Sequence, residues 1–411
     1  MTEKEERLVF PAEILLPDVD DPSAFACIAC DQFTSEKRYW EELKDFVGEK
    51  PSALNLILPE AYLSDDAEKR IKDIRRFMTE YIDGGVFKKL PKGYVLTVRK
   101  TPFVKRRIGL VAAIDLERYD YKKGSVSPIR ATEGTIEERI PPRLKVRENA
   151  GLELPHVMVL FDDEKREITE KLYENRAKYE KLYDFTLNMG GGGIEGYFIP
   201  EDDETAAKFY GLGDKKRLRE KYGDVPPLVL AVGDGNHSLA TAKAFWEKIK
   251  SGIPASERET HPARFALCEL VNVYDEGIYF EPIYRFVSGV DKEKFKKELE
   301  KIDAGNCEYF DGEKTVKLCG SADFSSGIRN TDALITDYIG QFGGAVDYIH
   351  GRENLFSLVK SDKTAIGIMP ETLKKEELFK IVANKGALPR KSFSMGEGVE
   401  KRYYLEAKLI K

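Results

Sequence analysis

Between residues 227 and 250, a short apolar run leads through a turn with two glycines into an amphipathic helix. The run, Pro-Leu-Val-Leu-Ala-Val at 227–232, is typical of a strand that is buried on both faces. The predicted helix carries Leu239, Ala242 and Trp246 on one side and charged residues on the other. Because a doubly buried strand needs helices packed against its sheet, this segment predicts an α/β protein.

Helix-like and strand-like patterns alternate along the whole 411-residue chain, which favours a mixed α/β (α+β) fold. Apolar spacing predicts strands at 94–99, 108–114 and 264–273, and helices at 64–82 and 163–183. After residue 288, the order of helix-like and strand-like segments begins anew. We therefore expect two regions: a core at 1–288 that carries the glycine turn, and a C-terminal α/β subdomain at 289–411 that folds back on the core.

Charge and hydropathy disfavour two classes of partner. The net charge is −6 and no basic block occurs, so non-specific nucleic-acid binding lacks electrostatic support. No apolar run approaches the roughly 20 residues of a membrane helix, and the charged start has no signal core, so we expect a cytoplasmic protein. The chain is rich in Lys and Glu, with glutamine only at Gln32 and Gln341, a composition typical of thermophile proteins.

The turn after the apolar run concentrates chemically active side chains. It consists of Gly233, Asp234, Gly235, Asn236, His237 and Ser238. Glycines permit positive φ and close approach of a ligand, and the start of the next helix presents free N–H groups to an anion. Asp234 is a candidate metal ligand, and His237 a candidate proton shuttle. The plainer alternative is a strand-to-helix connection that is capped by Asn236 or Ser238.

Two further segments offer cations and a carboxylate. The stretch 130–156 contains Arg130, Glu133 and Arg143, and a loop flanked by Gly and Pro contains Arg390 and Lys391. Arginine suits phosphate recognition because its guanidinium donates in a bidentate fork. A solvated charged face with local ion pairs, or an ordinary surface loop, would explain the same residues.

Three spaced motifs together resemble a known family. They are Cys-Asp-Gln-Phe-Thr-Ser at 30–35, the central turn with the Leu-Ala-Thr-Ala that follows it, and Pro-Arg-Lys-Ser at 389–392. In this order they resemble domain-of-unknown-function family 1015, over roughly residues 10–400. That family typically carries Asp-Gly-His-His-Arg at the turn and Pro-x-Lys-Ser-Thr near the C-terminus. Here Asn236 and Ser238 replace the first His and the Arg, and Phe393 replaces the Thr.

The resemblance implies a fold and a ligand. The family's turn is similar to the phosphate-binding turn of the ParB/sulfiredoxin-like superfamily, which implies such a core with an additional α/β subdomain. It also implies that nucleotide phosphates bind at 233–238, and the matching motifs add Asp31 and Ser392 to the expected ligand site.

These observations lead to three functional hypotheses. The first is a nucleotide-binding small-molecule phosphotransferase, of kinase type, or a hydrolase that uses Mg²⁺ with ATP or ADP. In it, Asp234 or Glu133 holds the metal or acts as base, and the charge is stabilised by His237, Arg143, Arg390 and Lys391. The second is a non-catalytic regulator of ParB type that binds nucleotide or DNA. The third is a metal-dependent hydrolase that uses Asp234, His237 and Glu133. The expected partner is a small-molecule ligand, and whether the chain forms a homodimer stays open.

Overall fold

The computed structural model describes residues 7–63 and 65–411. Residues 1–6 of the predicted core region and Ser64 of the helix predicted at 64–82 lie outside the described residues. The strands, in chain order, are β1 (Val9–Phe10), β2 (Ala12–Pro17), β3 (Cys27–Ile28), β4 (Phe87–Lys100), β5 (Arg107–Asp115), β6 (Tyr119–Asp120), β7 (Ile129–Ala131), β8 (Leu152–Glu153), β9 (Met158–Phe161), β10 (Glu180–Thr186), β11 (Gly193–Pro200), β12 (Leu230–Asp234), β13 (Phe265–Asn272), β14 (Phe280–Pro282), β15 (Tyr284–Ser288), β16 (Asn306–Phe310), β17 (Thr315–Cys319), β18 (Ala345–Ile349), β19 (Ile366–Pro370), β20 (Phe393–Met395), β21 (Tyr403–Tyr404) and β22 (Lys408–Leu409).

The helices lie between these strands, as an α/β fold requires. In chain order they are α1 (Pro22–Phe25), α2 (Lys37–Val47), α3 (Ala67–Asp83), α4 (Ile140–Arg147), α5 (Thr169–Glu174), α6 (Asp203–Gly211), α7 (Lys215–Tyr222), α8 (Asn236–Ile249), α9 (Ala255–Arg258), α10 (Lys292–Leu299), α11 (Phe324–Phe342), α12 (Arg352–Ser361) and α13 (Leu378–Lys385). The mixed α/β class predicted from the sequence is confirmed. No helix of the described residues is long and apolar enough to cross a membrane.

The chain divides into two compact units. The first runs to Ile278 and takes in Glu397–Lys411, and the second is Tyr279–Gly396. The division therefore lies upstream of residue 288, and the last fifteen residues of the chain belong to the first unit.

The first unit is built on an eleven-stranded sheet. Its order is β10-β11-β4-β5-β13-β9-β12-β7-β6, with β1 paired to β5 and β2 paired to β4. Strand β5 is buried along its whole length, and one face of the sheet packs Ile14, Val95, Val111 and Leu267 into a common core. Most pairs are antiparallel, but β12–β7, β6–β7 and β13–β9 are parallel. These parallel pairs determine which strand ends meet at the candidate site.

The second unit has its own sheet and core. Five antiparallel strands follow the order β17-β16-β19-β15-β18. Phe295 of α10 and Ile335 of α11 pack against Ile366 and Ile368 of β19 in one cluster. Met369 belongs to another cluster, formed with α12, because successive residues of a strand point to opposite faces.

The helix predicted at 163–183 is wrong over most of its length. The chain forms only the short α5 there and then enters β10 at Glu180. Strand β10 pairs along β11, and its Leu182 and Tyr183 pack against the core of the sheet. The segment's helical spacing of apolar residues is thus overridden by a tertiary partner, a strand that offers backbone hydrogen bonds.

Candidate functional site

Two neighbouring parallel strands end at the central turn. Strand β12 pairs in parallel with β7, with Val232 opposite Ala131. The hydroxyl of Thr132 donates to the carbonyl of Val232 at 2.7 Å and joins the two strand ends. Glu133 and Asp234 therefore leave the sheet at the same edge, which is where ligands bind in open α/β sheets.

The third strand at this edge, β9, runs antiparallel to β12. Asp234 pairs with Met158, the first residue of β9. His156 and Val157, which precede β9, thus lie beside the turn. A Cβ on Gly235 would lie 3.0 Å from Val157 Cα and 3.3 Å from His156 Cδ2. Any residue other than glycine would be strained here, because Gly235 also has φ of 76°.

Helix α8 begins at this glycine without a side-chain cap. Gly235 is the N-cap, and Leu239 N–H donates the first helical hydrogen bond to the carbonyl of Gly235. Asn236 and Ser238 lie inside the first turn, so the alternative in which either one caps the helix is wrong. The N–H groups of the first turn, together with the helix dipole, make this end attractive to an anion.

The loop after β7 is tied to the turn through an imidazole. Ile136 N–H donates to His237 Nε2 at 3.2 Å. Because Nε2 accepts this bond, the neutral ring carries its proton on Nδ1. The same region holds two buried oxygens with no hydrogen-bond partner among the described residues, Asn236 Oδ1 and Thr135 Oγ1. Buried polar atoms without partners are rare, and they are typical of places where a water or a ligand binds.

Charged groups from distant parts of the chain meet beside the turn. Lys401 Nζ lies 3.3 Å from Asp234 Oδ2, and both side chains are mostly buried. Asp31 Oδ2 lies 3.7 Å from His156 Nε2, whose ring partner Nδ1 is 2.6 Å from the hydroxyl of Tyr404. Burial works to raise the pKa of Asp31, but neighbouring groups, led by His156, outweigh it and hold this pKa below its ordinary value.

Sequence reasoning missed Lys401 and Tyr404. Both come from the C-terminal segment, far along the chain from residue 234, and no local pattern marks them as site residues. The segment is held in place by carbonyl contacts: Arg107 donates to Glu400 O at 2.9 Å and Arg99 to Lys401 O at 3.3 Å.

A closed network of buried charges is centred on Arg402, the residue that follows Lys401. Arg402 is 2.9 Å from Glu269 and 2.5 Å from Glu406, and its Nε donates to the carbonyl of Pro155. All three side chains are at most 3% exposed. Burial acts to raise the pKa of Glu269, but the nearby arginines and a hydrogen bond from Thr97 lower it to about 2. This network fixes the backbone on both sides of the site.

The arginines predicted near the turn have different environments. Arg143 of α4 pairs with Glu60 and donates to Arg139 O at 2.7 Å. Arg130 is buried and donates to the carbonyls of Pro226 and Pro227, so its guanidinium holds the loop before β12.

Three predicted residues belong to the second unit. Arg390 is exposed, and Lys391 has φ of 59° and a carbonyl that accepts from Arg285 at 3.1 Å. Ser392 is buried and donates to Pro389 O at 2.6 Å. The loop at 389–392 is therefore a tight, internally bonded turn of that unit.

No cluster of three or more His, Cys, Asp or Glu side chains suited to a metal occurs among residues 7–63 and 65–411. Asp234, with Glu133 at the neighbouring strand end, supplies at most two carboxylates. That number suits Mg²⁺, which commonly takes one or two carboxylates together with waters and phosphate oxygens.

Comparisons with known proteins give a family and some distant structural likenesses. No curated protein matches the chain. A free serine kinase in complex with AMP aligns over 72% of this chain and 90% of its own, with 11% identity and a TM-score of 0.38. A conserved hypothetical protein from Pyrococcus furiosus aligns over 72% and 90%, with 12% identity and a TM-score of 0.34. SbnI with a C-terminal truncation, from Staphylococcus aureus, aligns over 70% and 82%, with 11% identity and a TM-score of 0.34.

Likenesses with TM-scores this low assign no ligand and no reaction to the chain. The sequence family is more decisive, because its model covers the first two motifs in full, the first two residues of the third, and most of the chain. The model, described as "Protein of unknown function (DUF1015)", matches residues 14–390, and the chain therefore belongs to this family.

Proposed function

We propose that the turn at 233–238 binds the phosphates of a nucleotide and that the protein is a small-molecule phosphotransferase or hydrolase. The observation that carries this proposal is the start of α8 at Gly235, where no side chain caps the first turn. An uncapped helix start beside a strand end is suited to phosphate, because its N–H groups and dipole both favour negative charge.

Lys401 supports the proposal as a cation beside the turn. It is mostly buried and lies against Asp234 at the edge of the turn, where an incoming phosphate would meet it. A charge-assisted contact of this kind is stronger than a neutral hydrogen bond.

Asp234 would hold a Mg²⁺ ion, with Glu133 from the neighbouring strand end, and the ion would neutralise charge on the phosphates. In the structure, the positive charge of Lys401 lies beside the carboxylate of Asp234 and balances its negative charge. The protein's own groups would position the reactants: His237 is fixed by Ile136, and the α8 N–H groups orient the phosphates. Roles for Arg143, Arg390, Lys391 and Ser392 stay predictions, as does membership of the ParB/sulfiredoxin-like superfamily.

A thermal-shift screen tests the proposal. Wild type, Asp234→Ala and Asp224→Ala would be melted with ATP, ADP, CTP, GTP and phosphate, each with and without Mg²⁺. Asp224 is the matched control because its carboxylate is 88% exposed. A ligand at 100 times its Kd stabilises the folded state by about 2.7 kcal/mol, which is measurable as a higher Tm. We expect a nucleotide with Mg²⁺ to raise the Tm of wild type and Asp224→Ala, but not of Asp234→Ala.

Two outcomes would contradict the proposal. A wild type that no nucleotide stabilises does not bind nucleotide tightly under these conditions. A shift that survives in Asp234→Ala places the ligand elsewhere.

A further inference from the structure

A cavity of about 140 Å³ lies next to the first turns of α8, in the first unit. Most of its wall is aliphatic and comes from the loop before α3, from α4 and from the residues around β8. The apolar lining includes Leu56, Ile57, Leu58, Met78, Val146 and Leu154. Such a wall stabilises an apolar guest by removing its surface from water.

The charged groups of this wall neutralise one another. Arg143 pairs with Glu60, and Arg147 lies 2.5 Å from Glu153. Burial also raises the pKa of the Cys30 thiol to about 12, so the thiol is uncharged at neutral pH. A charged guest would lose its hydration here without gaining an opposite charge, so the wall favours a neutral one.

One hydroxyl of the wall is available to a guest. Tyr404 is bonded to His156, and Thr241 donates to His237 O at 2.7 Å. Ser238 also lines the cavity, and the structure records no hydrogen bond for its hydroxyl. Because Ser238 stands in the first turn of α8, a polar group bonded to it would lie beside the turn at 233–238.

The volume indicates how much of a guest is buried. An enclosed apolar cavity of about 150 Å³ holds a single benzene ring, so this cavity, which also opens to solvent, buries a body of about that size. We propose that this cavity binds a small neutral alcohol with a ring or branched body of about six carbon atoms, whose hydroxyl meets Ser238. That this alcohol binds together with a nucleotide rests on the proposed function, whereas its binding in the cavity does not.

Calorimetric titration with cyclohexanol tests the site. The key variant is Val146→Phe, because Val146 is half-buried on the cavity wall and a phenyl ring there fills the space. The matched control is Val126→Phe, at a valine that is 65% exposed and outside the wall. We expect saturable binding to wild type and to Val126→Phe, and a loss of affinity of at least about tenfold in Val146→Phe. If Val146→Phe does not fold, Val146→Leu takes its place, with a smaller loss expected.

Two further measurements test the chemical class. Ser238→Ala keeps the backbone N–H but removes the hydroxyl, and it should weaken cyclohexanol binding about three- to tenfold. Cyclohexanecarboxylate, the charged probe, should bind more weakly than cyclohexanol to wild type.

Each contrary result overturns the proposal. The first is a wild type that does not bind cyclohexanol saturably, and the second is equal cyclohexanol affinity in wild type and the Val146 variant. The third is unchanged cyclohexanol affinity in Ser238→Ala, and the fourth is tighter binding of cyclohexanecarboxylate than of cyclohexanol. A parallel titration with ADP and Mg²⁺ separates the two proposals. If wild type binds cyclohexanol but not ADP, the nucleotide site is contradicted. If it binds ADP but not cyclohexanol, the cavity assignment is contradicted.

Discussion

Lys401 and Arg402 are neighbours in the chain, yet they belong to two different kinds of charge cluster. Arg402 lies in a closed network in which Glu269 and Glu406 are both within 2.9 Å and all three side chains are at most 3% exposed. Lys401 belongs to a more open cluster, in which the ionic contacts are 3.3 Å from Lys401 to Asp234 and 3.7 Å from His156 to Asp31, and the two carboxylates are 23% and 28% exposed.

The difference between the two clusters separates architecture from function. A closed network leaves no capacity for another partner, and breaking it exposes buried charge to an apolar interior. An open cluster can exchange its partners for a ligand at a smaller cost, because its carboxylates stay partly in contact with water and its ionic contacts are longer. We therefore expect the closed network to govern stability and the open cluster to govern binding.

The largest expected effect follows from removing Arg402. Arg402→Met leaves two buried carboxylates without their cation and should lower the free energy of unfolding by about 3–5 kcal/mol, measured by urea denaturation. A triple variant, Arg402→Met with Glu269→Gln and Glu406→Gln, removes the stranded charges and should recover part of the loss. If the triple variant is no more stable than the single one, uncompensated charge is not the cause.

Acid should weaken the closed network next. The pKa of Glu269 is about 2 in the folded protein, against an ordinary value of 4.5. The stability that ionised Glu269 contributes is therefore fully present above pH 4.5. As the pH falls towards 2, the free energy of unfolding drops by up to about 3 kcal/mol. Denaturation at a series of pH values should show this slope in wild type and a reduced slope in Glu269→Gln. An equal slope in both proteins would contradict the assignment.

A smaller loss of stability should follow from a Cβ at the turn itself. Gly235→Ala forces alanine to φ of 76° and crowds Val157, which should cost about 1–2 kcal/mol and weaken nucleotide binding. The control is Gly211→Ala, because that position has open space and no positive φ; it should be neutral or slightly stabilising. Equal stability losses in the two variants would show that the turn is not strained.

The smallest change in stability is expected in the open cluster. Lys401→Met should cost about 1 kcal/mol or less, but should weaken ATP binding about tenfold or more, measured by calorimetric titration. Lys145→Met, at an exposed lysine of α4, is the matched control for charge and should leave binding unchanged. A large stability loss with unaltered ATP affinity would reverse the comparison between residues 401 and 402.

Local patterns predicted much of the first unit. The apolar run at 227–232 became β12, although the strand begins at Leu230 and continues through Asp234. The predicted strands at 94–99, 108–114 and 264–273 lie within or overlap β4, β5 and β13. These predictions are reliable because strand and helix periodicities are read from residues that are adjacent in sequence. The helix at 163–183 failed because β11 supplied a partner that no local pattern encodes.

The sequence by itself determined the strand, the turn and the helix that follows, with glycine at the position where a side chain would be strained. Only the tertiary structure decided what surrounds that turn. The pairing of β9 and β7 beside β12 brings His156 and Glu133 to the edge, and the C-terminal segment brings Lys401 and Tyr404. Their positions depend on the sum of many weak contacts between residues far apart in the chain, and no single stretch of sequence contains that sum.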